Sequence, residues 1–372
     1  MRATPHRLFL FLLLAALALP AAFPAGAGPL ENANAATRDF IRTTMKDGGI
    51  PGLQIAVIQG DRLLLSESHG LANVENQQPV ERTTLFPINS ATKAFTGVAV
   101  MQLVQAGRVD LEAPISTYLP DLPQGWRTVR VRQLLAHTSG LPDIVDAQGL
   151  VGGGSEQDAW RAVERMPVEA EPGERFAYNQ TNYGLLARIV ERQAGMSYGN
   201  FVAGRQFAPL GMRRSGFGDS YDLVAGAVTV YSYFPRRTDA PDAPTRLSHW
   251  FHDVPQGLWA GGGIQTTADE LAQWLIALLQ GRLIDAGLRE RMWTPERLND
   301  GSQGDWAAGW PVAGDTRHRE VSSMGGARAA FGVYPDEGLA IVVLTNLVGA
   351  NPQTFIPTIA GIYRAVPLAE RR

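Results

Sequence analysis

Two pairs of alternating apolar segments stand near opposite ends of this sequence, and they constrain the fold more than any other feature. Leu53–Ile58 and Leu63–Ser68 predict one β-hairpin, and Arg328–Tyr334 and Leu339–Asn346 predict a second. The stretch between the two hairpins has mostly helical patterns. This arrangement predicts a mixed α/β (α+β) fold, in which one antiparallel sheet is built from N- and C-terminal strands, is flanked by helices and carries an inserted helical lobe.

Helix signals mark several further segments. Thr267 and Glu270 have the spacing of a capping box for a helix that runs to about Leu279. The segments VTVYSYF and TRLSHWF predict an extra hairpin in an aromatic-rich region, whose rings either line a cleft or pack internally. Other predicted helices are Thr37–Lys46, Val131–Ala136, Tyr183–Ala194 and a last one from Asn351 to about Tyr363.

The N-terminus has the pattern of an export signal. Arg2 and Arg7 precede an apolar run that ends near Ala22, and small residues follow it. We place the leader at residues 1–27, with Ala33-Asn34-Ala35 as an alternative cleavage site. An uncleaved anchor is the other interpretation, but the run is short for a membrane span and a proline interrupts it. We therefore expect a periplasmic or secreted protein that meets the membrane only during export. The rest of the chain shows no internal repeat and no interdomain linker, which predicts a single domain over residues 37–366.

Composition excludes several functions. The net charge of −3 does not favour nucleic acid as a partner, and the absence of cysteine removes disulfides and thiolate nucleophiles. The motifs of zinc proteases, dinucleotide-binding proteins and P-loop enzymes lack support. We expect no cofactor and no metal, while the oligomeric state stays open.

Ser90 and Lys93 form the strongest candidate for chemistry. Three residues apart at the start of a helix that ends near Gly107, they share one helical face. A serine hydroxyl needs a proton acceptor before it can attack a carbonyl group. Lysine can serve only with a lowered pKa, and the chain's many arginines cannot replace it. The ordinary alternative is Ser90 as a helix N-cap and Lys93 as a solvated side chain.

His137 is a weaker candidate. It follows the predicted helix Val131–Ala136 in the sequence AHTSG, where an acid–base role is conceivable. A single histidine at a helix end more often has a structural role.

Several longer segments together resemble the serine β-lactamase and penicillin-binding-protein-like family, in the branch of class C β-lactamases, DD-peptidases and related esterases. The resemblance extends from about Asp39 to Tyr363. The segments that carry it are INSATKAFT, VRQLLAHTSGLPD, PGERFAYNQTNYGLLARIVE, LWAGGGIQTTADELAQWL and VYPDEGLAIVVLTN. It implies a β-lactamase/transpeptidase-like fold and an acyl-enzyme mechanism.

The resemblance also implies roles for individual residues. Ser90 would be the nucleophile and Lys93 would share its proton. Tyr178, the first residue of the family's Tyr-x-Asn element, would activate Ser90 and protonate the leaving group. Gln180 stands where the family has asparagine, so its amide is carried on a longer side chain.

The third motif of the family, usually Lys-Thr-Gly or His-x-Gly, corresponds best to Ser323-Met324-Gly325. The oxyanion hole would then use the backbone N–H groups of Ser90 and Gly326. Ser323 leaves out the motif's cation, which weakens the case for substrates that carry a carboxylate. Arg328 either compensates for that loss or has an ordinary surface role.

These observations and the resemblance predict an exported serine hydrolase that cleaves an ester, amide or lactam bond of a small-molecule, peptide or ester substrate. A protein of another class is the alternative: a binding or scaffolding protein that keeps the fold without efficient catalysis. The changed third motif is the reason to retain that alternative.

Overall fold

The computed structural model describes residues 28–371 except 237–238, 241–243 and 315–317. The predicted leader, residues 1–27, lies outside the described residues. None of the described helices combines the length and the apolar character that a membrane crossing requires.

A seven-stranded antiparallel sheet forms the centre of the described structure. The two predicted hairpins join in it, because Gly52–Gln59 pairs with Leu339–Thr345, and Ile55 lies opposite Val343. The predicted fold class is therefore confirmed. The seven strands follow one another across the sheet in the order Val312–Ala313, Glu320–Gly325, Ala329–Tyr334, Leu339–Thr345, Gly52–Gln59, Arg62–Asn73 and Gln78–Pro79.

Side chains along the strand Gly52–Gln59 point alternately to the two faces of the sheet, and each face borders its own apolar core. Ile55 and Val57 face a core that the helices Pro29–Gly48 and Ile356–Arg364 close, whereas Ala56 faces the larger core on the opposite side. The strand is buried along its whole length because both faces of the sheet are covered. The larger core extends into the helical lobe and includes the helix that follows Ser90.

The helical part lies between the two hairpins in sequence, as predicted. Short 3₁₀ turns cover Asn89–Ala91, Ile115–Thr117, Gln124–Trp126, Gln256–Leu258 and Pro352–Thr354, and one π turn covers Ala203–Phe207. The remaining helices are Thr92–Gln105, Val131–Leu135, Glu156–Val163, Thr181–Ala194, Tyr198–Val202, Ala208–Leu210, Trp259–Gly262, Ala268–Leu279, Ala286–Met292 and Leu368–Arg371.

A small three-stranded sheet fixes the entry to the Ser90 helix. Ile264–Thr266 lies between Phe86–Pro87 and Gly216–Phe217 and pairs with both. The Ile88 N–H donates to the Ile264 carbonyl at 3.0 Å. The start of the Ser90 turn is therefore fixed to the strand Ile264–Thr266, which lies far from it in the sequence. The other short strands pair as Val145–Asp146 with Gly149–Leu150, and Tyr231–Ser232 with both Ser248–His249 and Leu347–Val348.

Three local predictions differ from the structure. The first helix begins at Pro29, eight residues before the predicted start, so the alternative cleavage site lies inside it. The capping box is half formed: Thr267 accepts from the Glu270 N–H, but the Glu270 carboxylate bonds instead to the N–H groups of Arg214 and Ser215. The aromatic hairpin has only two residues a strand, and a third strand, Leu347–Val348 from the C-terminal region, pairs in parallel with its first strand.

Candidate active site

Ser90 lies at the entry to a helix that is buried on every side. From Ile88 to Met101 it is the one residue that keeps partial exposure. Asn89 before it has a φ of 45°, a left-handed conformation that turns the chain sharply into the helix. The N-cap of this helix is Ala91 and no side chain caps it, so the interpretation of Ser90 as an N-cap is wrong.

Lys93 is fully buried, which also excludes the solvated interpretation. Its ammonium group donates to the Gly261 carbonyl at 2.8 Å and to Gln180 Oε1 at 3.0 Å. The same group lies 4.7 Å from the centre of the Tyr178 ring and 4.9 Å from that of Tyr183. No carboxylate forms an ion pair with it among the residues that the structure describes. Its charge is therefore held by neutral oxygens and aromatic faces.

Tyr178 comes from the segment before the helix Thr181–Ala194 and completes a group with Ser90 and Lys93. Its side chain is 38% exposed, while the hydroxyl end lies in the protein. Burial raises the pKa of Tyr178, but the charge of Lys93 and hydrogen bonds with Lys93, Ser90 and Gln180 outweigh burial, so the pKa is lowered below its ordinary value. A phenolate is therefore easier to form here than in water.

Gln180 lies among these residues, but its amide oxygen is occupied by Lys93. Its backbone N–H donates to Asp143 Oδ1 at 2.8 Å, and the Val145 N–H donates to the same oxygen. Burial raises the pKa of Asp143, against the effects of these two N–H groups and of Lys93. Sequence reasoning missed Asp143. The residue stands in the segment that includes His137, but no local pattern shows that it fixes Gln180.

His137 lies behind Tyr178 rather than in front of it. It is fully buried, has a φ of 56°, and its ring centre lies 4.4 Å from that of Tyr178. Its carbonyl accepts from the Ala177 N–H and its Nδ1 accepts from the Asn179 N–H. Burial, with the charge of Lys93 added, lowers the pKa of His137 well below its ordinary value. The His137 ring is therefore neutral. Its carbonyl and its Nδ1 fix the backbone on the two sides of Tyr178.

The strand that corresponds to the third motif packs directly against the Ser90 turn. A Cβ atom on Gly325 would lie 1.9 Å from the Ile88 carbonyl oxygen and 2.6 Å from the Ser90 nitrogen. Gly326 follows with a φ of 57°, and among the described residues its N–H has no acceptor. Ser323 faces inwards, is 2% exposed and lies 3.5 Å from the Ala91 carbonyl oxygen. The structure thus brings Gly325 and Gly326 to Ser90, but Ser323 supplies no charge.

Aromatic side chains lie beside Tyr178 in this group. Phe176 is 44% exposed, and its ring centre lies 5.7 Å from that of Trp306, which also contacts Tyr178. Met324, with 39% exposure, alternates with the inward-facing Ser323 and lies opposite Ala330, so it projects from the other face of the third-motif strand. Within the described residues, no set of three metal-ligating side chains is present.

The sequence profile of the Beta-lactamase family matches residues 37–359. The chain belongs to this family. A putative penicillin-binding protein, PbpX of Bacillus subtilis strain 168, is 28% identical over 314 residues, which are 84% of this chain and 74% of that protein. Protein flp of Staphylococcus aureus strain MW2 is 30% identical over 184 residues, 48% of this chain but only 37% of that protein.

Solved structures agree with this assignment. The octameric penicillin-binding protein homologue of Pyrococcus abyssi is 26% identical, with a TM-score of 0.73 over 90% of this chain and 79% of that one. A class C β-lactamase has a TM-score of 0.75 at 18% identity, covering 92% and 99% of the two chains. EstCE1, a hydrolase with promiscuous acyltransferase activity, has a TM-score of 0.73 at 20% identity, covering 91% and 98%. The last two likenesses concern the fold alone.

Proposed function

We propose that this family member is an exported serine hydrolase that forms an acyl-enzyme on Ser90. One observation carries the proposal: Ser90 keeps partial exposure at the entry of a buried helix, where the Tyr178 hydroxyl is hydrogen-bonded to it and to Lys93. A structural serine would need neither a buried amine nor a tyrosine with a lowered pKa beside it.

In the proposed reaction, Tyr178 accepts the Ser90 proton as the Ser90 oxygen attacks the substrate carbonyl carbon. The charge of Lys93 favours the phenolate before this transfer. The N–H groups of Ser90 and Gly326 stabilise the negative oxygen of the tetrahedral intermediate. Tyr178 then gives the proton to the leaving group as the bond breaks, and water hydrolyses the Ser90 ester in a second, equivalent cycle.

We infer that esters or small acyl amides are better substrates than β-lactams. Ser323 provides no cation for a lactam carboxylate, and Phe176 and Trp306 present aromatic surface beside Tyr178. Turnover of short acyl esters alongside nitrocefin tests this preference. Nitrocefin hydrolysis with a kcat/KM equal to or above that of the esters would reverse it.

A fluorophosphonate probe tests the nucleophile. The intact protein should gain one adduct, and peptide mass spectrometry should locate it on Ser90. Ser90→Ala should not label, whereas Ser116→Ala, a control at a serine that is partly exposed like Ser90, should label fully. An unlabelled wild-type protein with a normal thermal transition would contradict the proposal.

Secretion is tested separately by fusing residues 1–35 to a reporter enzyme that works only after export. A reporter confined to the cytoplasm would contradict the export signal.

The loss of the third-motif cation favours one second candidate, a binding protein that has kept the fold. In that case Ser90→Ala would leave ligand binding unchanged, and activated esters would not be turned over. Those two results together would select it over the hydrolase.

A further inference from the structure

A groove on the helical lobe, called here the arginine groove, is lined by three arginines and by no acidic side chain among the described residues. It has a volume of about 420 Å³ and lies at the C-terminal end of the helix that follows Ser90. Arg108 follows that helix, Arg205 belongs to the π turn, and Arg282 belongs to a loop between two later helices. Three segments that are far apart in sequence therefore each bring one positive charge to the same groove.

The three guanidinium groups are unpaired within the described part of the chain. All three side chains are exposed, and none of them donates a hydrogen bond or forms an ion pair there. Asp110 and Asp285 follow two of these arginines in sequence, but their carboxylates accept from backbone N–H groups of their own segments. No described carboxylate therefore compensates the three charges.

Two other grooves of the molecule have carboxylates among their lining residues. In one of them Arg132 lies 2.9 Å from Glu112 and also contacts Glu296. In the other, Arg188 lies 3.5 Å from Glu164. Such pairing is expected in a chain with 36 acidic and 33 basic residues. The arginine groove lacks it, so a positive potential is concentrated there.

The arginine groove has an apolar floor and walls that are tied together. Phe201 and Leu283 line the groove and are buried against the core. The Gln102 amide donates to the carbonyl oxygens of Arg205 and Leu283, both at 3.3 Å, which fixes the two walls relative to each other. The Gln102 oxygen is enclosed and has no donor in the described chain, so we place an anion at the exposed arginines and not against this amide.

The helix dipole offers an ordinary explanation for part of this arrangement. Arginine is favoured near a helix C-terminus, which accounts for Arg108 and Arg282 separately. It does not account for Arg205, or for the absence of acidic residues around a shared concave site. The volume of the groove lies within the range of about 300–1,000 Å³ that is typical of small-molecule sites.

We propose that the arginine groove binds a small, soluble phosphate monoester that carries an apolar or aromatic group. Three guanidinium groups match a dianion better than a monoanion, and their forked donors suit phosphate oxygens. The apolar floor contacts the group that is esterified to the phosphate. The site lies about 20 Å from Ser90, at the other end of the same helix, so it does not depend on the proposed hydrolase activity.

Calorimetry with phenyl phosphate tests the site. The wild type should bind it at one site, more tightly than inorganic phosphate and more tightly than benzoate. Arg205→Gln and Arg282→Gln should each weaken binding about tenfold, while ester hydrolysis stays at the wild-type rate. Arg165→Gln, at an exposed arginine outside the groove, removes the same charge and should leave binding unchanged.

Gly204→Glu is a second test that keeps all three arginines. Gly204 lines the groove, and a Cβ atom there would meet no other atom within 4 Å, so the new side chain has room. Its carboxylate should pair with an arginine and abolish the binding of phenyl phosphate. Gly361→Glu, in an exposed helical position with the same open space, should bind like the wild type. Thermal unfolding checks that each variant is folded.

Four outcomes would overturn the proposal. Absence of phenyl phosphate binding by the folded wild type would refute the site, and equal losses in Arg205→Gln and Arg165→Gln would show a nonspecific charge effect. Inorganic phosphate or benzoate binding as tightly as phenyl phosphate would refute the ligand class. Cosedimentation with vesicles of phosphatidylglycerol and phosphatidylcholine, without phenyl phosphate binding, would assign the groove to a membrane surface instead.

Discussion

The two sides of the candidate site are built in different ways. On the side of Ser90, side chains supply the chemistry: the hydroxyl of Tyr178 is hydrogen-bonded to the serine and to the buried Lys93. On the side of the third-motif strand, the backbone of Gly325 and Gly326 approaches the serine, and Ser323, at the position of the motif's cation, carries no charge. The close approach of the strand to Ser90 therefore does not depend on a cation at Ser323, because pairing within the sheet holds the strand in place.

The largest effect on kcat/KM is expected for a change at Lys93, on the Ser90 side of the site. Lys93→Arg keeps a positive charge but removes an amine that can share a proton, so kcat/KM should fall about 10²- to 10⁴-fold. Ester hydrolysis and thermal unfolding measure it. Lys46→Arg is the matched control, since Lys46 is the chain's other lysine and is exposed. Near-normal turnover in Lys93→Arg would contradict proton sharing and leave only a charge requirement.

Gly325→Ala tests whether activity needs the close approach of the third-motif strand to Ser90. A methyl group there would meet backbone atoms of Ile88 and Ser90 that cannot move without moving the turn. We expect about a 100-fold loss of kcat/KM, because misplacement by about 1 Å costs that much, together with about 1–3 kcal/mol of stability. Gly361→Ala is the control: it lies in an exposed helical position with open space, and should gain up to about 1 kcal/mol. Unchanged activity in Gly325→Ala would show that the strand's close approach is not needed.

The pH dependence of acylation reports on Tyr178. The base is the phenolate, whose pKa is lowered here, so kcat/KM should fall about tenfold for each pH unit below that pKa, with the limb centred below pH 10. Stopped-flow labelling over a range of pH measures it. Tyr178→Phe should remove the limb, and Tyr221→Phe, at a 67% exposed ring, should keep it. A wild-type profile without this limb would contradict the tyrosine base.

The smallest effect concerns stability at acidic pH. The pKa of His137 is lowered in the folded protein, so the unfolded state binds the proton more readily, and stability should fall as pH drops below about 6.5. The slope for one group reaches at most about 1.4 kcal/mol per pH unit. His137→Gln should unfold with a shallower pH dependence, as measured by thermal transitions between pH 7.5 and 5. An equal slope in the variant would mean that other groups cause the loss.

Much of the fold was accessible from local pattern. The alternating segments gave both hairpins, and the helix before Gly195 ends there because glycine adopts the left-handed cap conformation. The half-formed capping box shows the limit: spacing gave the Thr267 cap, but Glu270 bonds to a distant loop. Local spacing does not report a competing partner from elsewhere in the chain.

The sequence by itself determined the strands of the two main hairpins, most helix positions and the residue types at Ser90, Lys93 and Tyr178, because these depend on neighbours along the chain. Only the tertiary structure decided that Gly261 holds Lys93, that His137 supports Tyr178 from behind, and that Arg328 is buried rather than at the surface. Burial and electrostatic environment arise from segments that meet only after folding. The sequence alone therefore does not distinguish a solvated charged side chain from a buried one.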